Sequence, residues 1–256
     1  MVSDNERGFC SLNGQWGSGA KYENLLRKVM MYWPEGRPAP SNLLDVGCGT
    51  GGLLEACRKR GLVAYGIEGS KEIHDECVSK GLSVSLHNLE QKSMFDFENG
   101  SIDIVICSQI IEHLTPESGA HLVKESQRIL SENGMLVIFS PSYYDKLNRT
   151  RPFHVHCYKP RELGEIILAS GFEEAMHLSE AIPNTNWAPY REGEDSSQRK
   201  NRTPINLVLN LLLLVTGLER LDGTAHFVAY KRRVHQSDLP TRILQIRSIL
   251  ENLTLG

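Results

Sequence analysis

The chain has no CxxC pair, no long apolar run, no marked excess of either charge and no internal repeat. Each absence removes a class of protein. Six cysteines (Cys10, Cys48, Cys57, Cys77, Cys107, Cys157) stand apart in the sequence, so neither a zinc ribbon nor a secreted disulfide framework is expected; they read as reduced thiols of a cytoplasmic protein. Met1 to Arg7 is polar and no apolar core follows it, so no export signal is expected. The most apolar stretch, Ile205 to Leu218, contains Asn206 and Asn210 and is short for a membrane span, which argues against stable membrane insertion. A formal net charge of −3 leaves no whole-chain attraction for DNA or anionic lipid.

What remains is ordinary globular material. The 256 residues, 40% hydrophobic and 23% charged, suffice for one domain with appendages. Residues 1–41 form an arm and a helix whose apolar positions (Tyr22, Leu25, Leu26, Val29, Met30, Trp33) recur at helical spacing from Lys21 to Trp33. From residue 42 strands and helices alternate. The strands expected are Leu43–Val46, Leu62–Ile67, Leu82–His87, Ile102–Cys107, Met135–Phe139, Phe172–Leu178 and His226–Lys231. Ser70 and Thr115-Pro116 open helices, Gly61, Gly81 and Gly171 close them, and Asn133-Gly134 turns the chain into the fifth strand. Such an order predicts an α/β fold with an open, mostly parallel sheet covered on both faces. The core is expected over 42–178, with an insert or lid at 179–223 shaping the acceptor site, a final core strand at 224–231 and a C-terminal helix within 232–256.

Asp45-Val46-Gly47-Cys48-Gly49-Thr50-Gly51-Gly52 lies between the first core strand and its helix, where open α/β sheets bind ligands. Gly47, Gly49 and Gly52 satisfy the dinucleotide pattern GxGxxG, and Glu68 lies where a ribose diol could be held. A nicotinamide enzyme therefore competes at this point. Asp45, two residues before the first glycine, suits a cofactor carrying an ammonium group and a sulfonium better than a pyrophosphate.

Leu43-Leu44-Asp45-Val46-Gly47-Cys48-Gly49-Thr50-Gly51 resembles the first motif of class I S-adenosylmethionine-dependent methyltransferases, and the order of elements resembles that family from about residue 20 to 178 and again over the final strand. The resemblance implies a Rossmann-like fold, doubly wound, with seven strands of which the last is antiparallel, and S-adenosylmethionine as cofactor. It implies that Asp45, Gly47, Cys48, Gly49 and Gly51 line the cofactor, that Glu68, followed by Gly69, holds the ribose hydroxyls, that Asn88 and Leu89 contact adenine, and that Ser108 and Gln109 flank the methionine portion. Asn88 stands where the family commonly has aspartate; its amide oxygen can still accept from an amino group.

The residue types after the fourth strand suggest the chemistry. Methyl transfer needs alignment of acceptor and methyl, helped by a base when the acceptor is a hydroxyl or protonated amine. Glu112 and His113 are the nearest candidates, with His154 from the segment after strand five; anchoring of the helix that begins at Thr115-Pro116 is the competing role for the first two. His154 and His156 would share a side of an extended stretch, and with Glu112 and His113 they would make an imidazole and carboxylate ligand set resembling that of metal-dependent small-RNA 2′-O-methyltransferases. Those have a Glu-x-x-Glu-His pattern, and Gln109 occupies the first acidic position here, so no metal is assigned. The segment before the helix at Pro160 also resembles that of bacterial methyltransferases acting on small molecules or glycans. The expectation is methyl transfer to oxygen or nitrogen of a small-molecule or glycan-like acceptor. The alternatives are a metal-assisted RNA 2′-O-methyltransferase and a catalytically silent cofactor-binding subunit. Trp16, Trp187, Tyr190, Arg149, Arg151 and Arg191 are candidates on the acceptor side. The apolar segment Ile205–Leu218 is read first as packing against the sheet edge or the N-terminal helix, next as a homodimer contact and third as a shallow membrane or lipid-substrate contact, and the C-terminal helix suggests the same homodimer.

Overall fold

A computed structural model describes residues 19–178 and 224–234. The expectations for Trp16, for the insert with Trp187, Tyr190, Arg191 and Ile205–Leu218, and for the C-terminal helix lie outside these residues. The elements in chain order are α1 (Gly19–Met30), β1 (Asn42–Val46), α2 (Gly52–Lys59), β2 (Val63–Glu68), α3 (Lys71–Ser79), β3 (Ser83–Leu86), β4 (Ile102–Ser108), α4 (Pro116–Ile129), β5 (Leu130–Phe139), α5 (Lys146–Arg149), α6 (Pro160–Ala169), β6 (Glu174–His177) and β7 (Phe227–Tyr230). Short 3₁₀ turns cover Leu89–Gln91 and Ile111–His113.

The seven strands form one sheet in the order β3-β2-β1-β4-β5-β7-β6. Only β7 runs against its neighbours, pairing antiparallel with both β5 and β6. The chain winds outward from β1 to β3 and then returns to place β4 on the other side of β1, so the topological switch lies between β1 and β4. Beyond the carboxyl ends of those two strands a crevice is left for a ligand.

Alternation along each strand divides the core between the two faces. Leu44, Val46, Val105, Cys107, Leu136 and Ile138 pack with Leu122, Val123 and Ile129 of α4 and with Leu163 and Ile167 of α6. Leu43, Ile104, Ile106, Met135, Val137, Val228 and Tyr230 pack with Leu26 and Val29 of α1 and with Leu53, Ala56 and Cys57 of α2. The Tyr230 hydroxyl donates to the main-chain oxygen of Tyr32, fastening the turn after α1 to the antiparallel strand. No helix among the described residues is long and apolar enough to cross a membrane.

The helix signals act as expected. Ser70 accepts from Ile73 N–H at 3.4 Å, and Thr115 caps α4 ahead of Pro116. Two details differ. The first helix ends at Met30, three residues early, because Tyr32 and Trp33 enter a tight turn whose amides reach Val29 and Met30, and the Trp33 indole donates to Pro38 O. Asn133-Gly134 does not precede β5 but lies within it: Ile102 pairs with Leu130 and Ile104 with Met135, so the intervening residues bulge from a continuous ladder.

Candidate active site

The loop leaving β1 is held open by backbone geometry. Gly47, Gly49 and Gly51 all have positive φ (75°, 51° and 81°), a region that costs other residues energy. At Gly51 the requirement is double, since a Cβ would also run into Leu82 Cδ1 and come within 3.3 Å of Cys77 Sγ. Gly47 and Cys48 donate their amides to Ile67 O at 2.8 and 3.0 Å, which ties the loop to the end of β2. The Cys77 thiol lies 3.1 Å from Gly49 O and the Cys48 thiol 3.7 Å from it. Burial pushes the Cys48 thiol far above its ordinary range, so it packs rather than reacts.

Two acids sit under this loop. Glu68, 4% exposed, accepts Gly49 N–H through Oε2 at 3.0 Å and Ser70 N–H through Oε1 at 2.8 Å. It therefore fixes the apex of the glycine turn as well as the start of α3. Asp45, 6% exposed, is pushed up to about 7, first by burial and then by the charge of Glu68. Neither acid forms an ion pair among the described residues.

The remaining residues of the expected cofactor set lie at or just past the carboxyl ends of β2, β3 and β4. Asn88 follows β3 and uses its amide oxygen to accept from Glu90 N–H at 3.0 Å, capping the turn that carries Leu89. Gly69 lies between Glu68 and Ser70, with space for a Cβ 3.7 Å from His87 O. Ser108 ends β4. Gln109 has a φ of 55°, and both its amide N–H, at 2.8 Å, and its side-chain Nε2, at 3.2 Å, donate to Phe139 O. A non-glycine residue in that conformation signals a place where the surrounding structure dictates the backbone.

The 3₁₀ turn after β4 brings together three of the four residues Glu112, His113, His154 and His156. Glu112 is fully buried. Its Oε2 accepts from Ser140 Oγ at 3.1 Å, whereas Oε1 has no hydrogen-bond partner. Burial pushes this carboxyl up to about 7, with the Ser140 bond acting in the opposite sense. The Glu112 main-chain oxygen accepts from Val155 N–H (2.8 Å) and His156 N–H (3.1 Å), pinning the segment after α5 onto the turn. His113 Nδ1 bonds Phe153 O at 2.8 Å, and its ring meets that of His154 edge to face at 5.0 Å. Burial holds both imidazoles below their ordinary range. The Phe153 bond partly offsets this at His113, and at His154 the neighbouring His113 adds to it. Donor atoms of Glu112, His113 and His154 all lie within 4.8 Å of one another.

His156 does not join them. The stretch 151–158 is irregular rather than extended, so the expected common side is lost; His156 Nε2 pairs with Glu162 Oε1 at 2.7 Å and its ring meets that of Tyr158 edge to face at 4.5 Å. Arg149 lies 4.5 Å over the Tyr143 ring, and the Arg151 charge depresses both histidines. The start of α4 is anchored by Glu90, which accepts from Thr115 N–H at 2.8 Å and from the Thr115 and Ser118 hydroxyls at 3.0 and 2.8 Å, whereas the Glu112 and His113 side chains bond Ser140 and Phe153. Neither Glu90 nor Ser140 stood out in the sequence. Both lie 25 or more residues from their partners, and no local pattern marks them.

The chain is similar to known proteins. A family model described as a methyltransferase domain matches residues 19–177. The ubiquinone biosynthesis O-methyltransferase of Methylococcus capsulatus is 31% identical over 111 residues, 42% of this chain and 44% of that protein. The ajmaline N-methyltransferase of Rauvolfia serpentina is 30% identical over 115 residues, 41% of this chain and 38% of that protein. The matches thus span less than half the length of these two curated relatives. Among solved structures, a SAM-dependent methyltransferase from Archaeoglobus fulgidus superposes with a TM-score of 0.58 at 24% identity, covering 84% of this chain and 95% of that one, a likeness of fold.

Proposed function

Because the chain belongs to the class I S-adenosylmethionine-dependent methyltransferases, we propose that it moves a methyl group to oxygen or nitrogen of a small-molecule or glycan-like acceptor. The observation that carries the reading is the placement of Asp45 and Glu68, two buried acids without a described cation, beneath a left-handed glycine loop at the switch between β1 and β4. A ligand bearing positive charge relieves that site, as a pyrophosphate does not.

Asp45 takes the cofactor's ammonium group. Each Glu68 oxygen, already accepting one amide, retains a lone pair for a ribose hydroxyl. Asn88 and Leu89 border the adenine, Ser108 and Gln109 the methionine portion, and the amides around Gly47, Cys48, Gly49 and Gly51 let the ligand approach the backbone. When bound, S-adenosylmethionine supplies a methyl group on positive sulfur, open to in-line displacement. His113, kept neutral by burial, is the group on the acceptor side able to take a proton from a hydroxyl or ammonium; the Phe153 main-chain oxygen and the His154 ring hold it in place. The relatives named for O- and N-methyl transfer support those two acceptor atoms.

Calorimetric titration with S-adenosylmethionine and with NAD, followed by transfer of labelled methyl to a panel of phenols, amines, sugars and RNA, tests the proposal. Binding of the first cofactor and label in a small molecule are expected. Label in RNA alone would overturn the acceptor class, and binding without transfer to any acceptor would favour a silent subunit.

A further inference from the structure

Glu112 Oε1 on the acceptor side is a buried polar atom without a hydrogen-bond partner. It belongs to a fully buried side chain, faces no hydrogen-bond donor, and sits beside two imidazoles. Leaving a buried carboxylate oxygen unpartnered costs several times what an ordinary hydrogen bond contributes. We infer that Glu112, His113 and His154 form a binding site for one divalent transition-metal ion.

Three features beyond proximity support the site. First, the donors come from two segments that are locked together: the amides of Val155 and His156 both bond Glu112 O, which fixes His154 relative to Glu112 and His113. Second, the outer bonds are those that orient metal ligands. His113 bonds a main-chain carbonyl through Nδ1, leaving Nε2 as the nitrogen with a lone pair in the neutral ring, and Ser140 holds the second oxygen of Glu112. His154 is steadied by the Asn148 main chain and lies 3.6 Å from Cys157 Sγ through Nδ1. Third, this is the only such donor group among the described residues. Ligand bonds of about 2.1 Å place tetrahedral donors about 3.4 Å apart, so donors now within 4.8 Å need side-chain rotations of about an ångström to close on an ion.

Two imidazoles and one carboxylate select borderline ions such as zinc, iron(II), cobalt or manganese over calcium, which prefers a full shell of oxygens. Three protein donors leave positions for an outside ligand, and the oxygen of a hydroxylated acceptor is the chemistry that fits. That last role rests on the methyl-transfer reading, and with an ion held on Nε2 the His113 ring would no longer act as the base; the binding of the ion does not rest on it.

The test uses the tag-free chain, stripped with chelator and titrated with cobalt(II), whose visible spectrum reports its coordination, together with metal analysis after dialysis against zinc. One ion per chain is expected. His154→Asn and Glu112→Gln should each weaken cobalt affinity at least about tenfold, and His156→Gln, whose imidazole is engaged with Glu162, should leave it unchanged. Thermal melts of the stripped variants separate loss of the site from loss of the fold, and the partly exposed His154 provides the variant that keeps the core intact. No uptake, or uptake indifferent to both ligand substitutions, would overturn the site. Cofactor titration of the same samples keeps the two readings apart. Cofactor binding without cobalt uptake rejects the ion alone, and cobalt uptake without cofactor binding rejects the methyl-transfer reading alone.

Discussion

Asp45 offers the sharpest test of the cofactor assignment, because its environment turns binding into a measurable proton exchange. In the free chain its carboxyl is pushed up to about 7 by burial and by Glu68. Pairing with an ammonium group favours the ionised form, so binding between pH 5.5 and 7 must expel a proton. If the bound carboxyl titrates below about 5, release is about 0.9 proton at pH 6 and about 0.5 at pH 7. Affinity then weakens about tenfold from its plateau to pH 6, or about 1.4 kcal/mol. The ligand's own α-amino group, with a pKa near 8, acts on the alkaline side, which leaves the acidic window to Asp45. Calorimetry of S-adenosylmethionine binding in buffers of differing ionisation enthalpy measures the released proton directly. Asp45→Asn should abolish the buffer dependence below pH 7 and weaken plateau binding by about 1.5–3 kcal/mol, the loss of a charge-assisted bond. A wild-type enthalpy independent of buffer, or proton release that survives Asp45→Asn, would refute the assignment.

The same carboxyl sets a stability trend. A folded pKa above the unfolded value of about 4 contributes stability that is full below that value and lost as pH rises through 7. In denaturant melts of the unliganded chain, Asp45→Asn should therefore gain on the wild type by on the order of 2 kcal/mol between pH 5 and 8; a constant difference would count against the buried charge. Glu68→Ala should weaken cofactor binding by about 1–3 kcal/mol. It should also lower the melting temperature without ligand, since the Gly49 and Ser70 amides lose their acceptor; unchanged affinity removes Glu68 from the ribose role. Gly51→Ala combines a left-handed backbone with overlap on Leu82, so a loss of about 2–4 kcal/mol in stability is expected, and an unaltered melt would contradict the loop geometry. His113→Asn should reduce turnover while leaving cofactor affinity nearly intact, whether the ring acts as base or as ion ligand; loss of cofactor affinity instead would place His113 on the wrong side of the crevice.

The half of the site that holds the cofactor was readable because its determinants are local in the chain. Gly47, Gly49 and Gly51 announce left-handed backbone by their identity, and Asp45 and Glu68 sit at the ends of adjacent parallel strands whose apolar runs mark them plainly. The acceptor half was only partly readable. Glu112 and His113 were visible as acid and base after β4, but their surroundings come from Ser140, Phe153 and His154, 28 to 41 residues away. Extended-chain reasoning placed His156 with His154, and it failed because the segment coils to meet Glu112 O and so turns His156 toward Glu162. The turn expected at Asn133-Gly134 became a bulge for a similar reason: the strand ladder to β4 resumes on both sides of it, and that pairing cannot be read from the dipeptide.

Both halves share one physical character. Asp45 at β1 and Glu112 just beyond β4 are buried acids raised to about 7, Glu112 keeps an oxygen without a donor, and Gln109 between them occupies a strained backbone region. The sheet around them is closed by apolar layers on both faces. The two buried carboxyls raised in this way both lie at the carboxyl edge of the two central strands, as expected where a fold accepts local cost for binding. Each acid calls for positive charge, and the two demands are chemically different. Asp45 faces a glycine loop shaped for a large organic cation, whereas Glu112 is enclosed with two nitrogen donors at the spacing of a small inorganic one. Filling either site should stabilise the chain against unfolding, and by amounts that add, because the two ligands neutralise different acids. A thermal shift with cofactor and cobalt together that falls well short of the sum would mean that both compete for the same charge, and the separation of the two halves would fail.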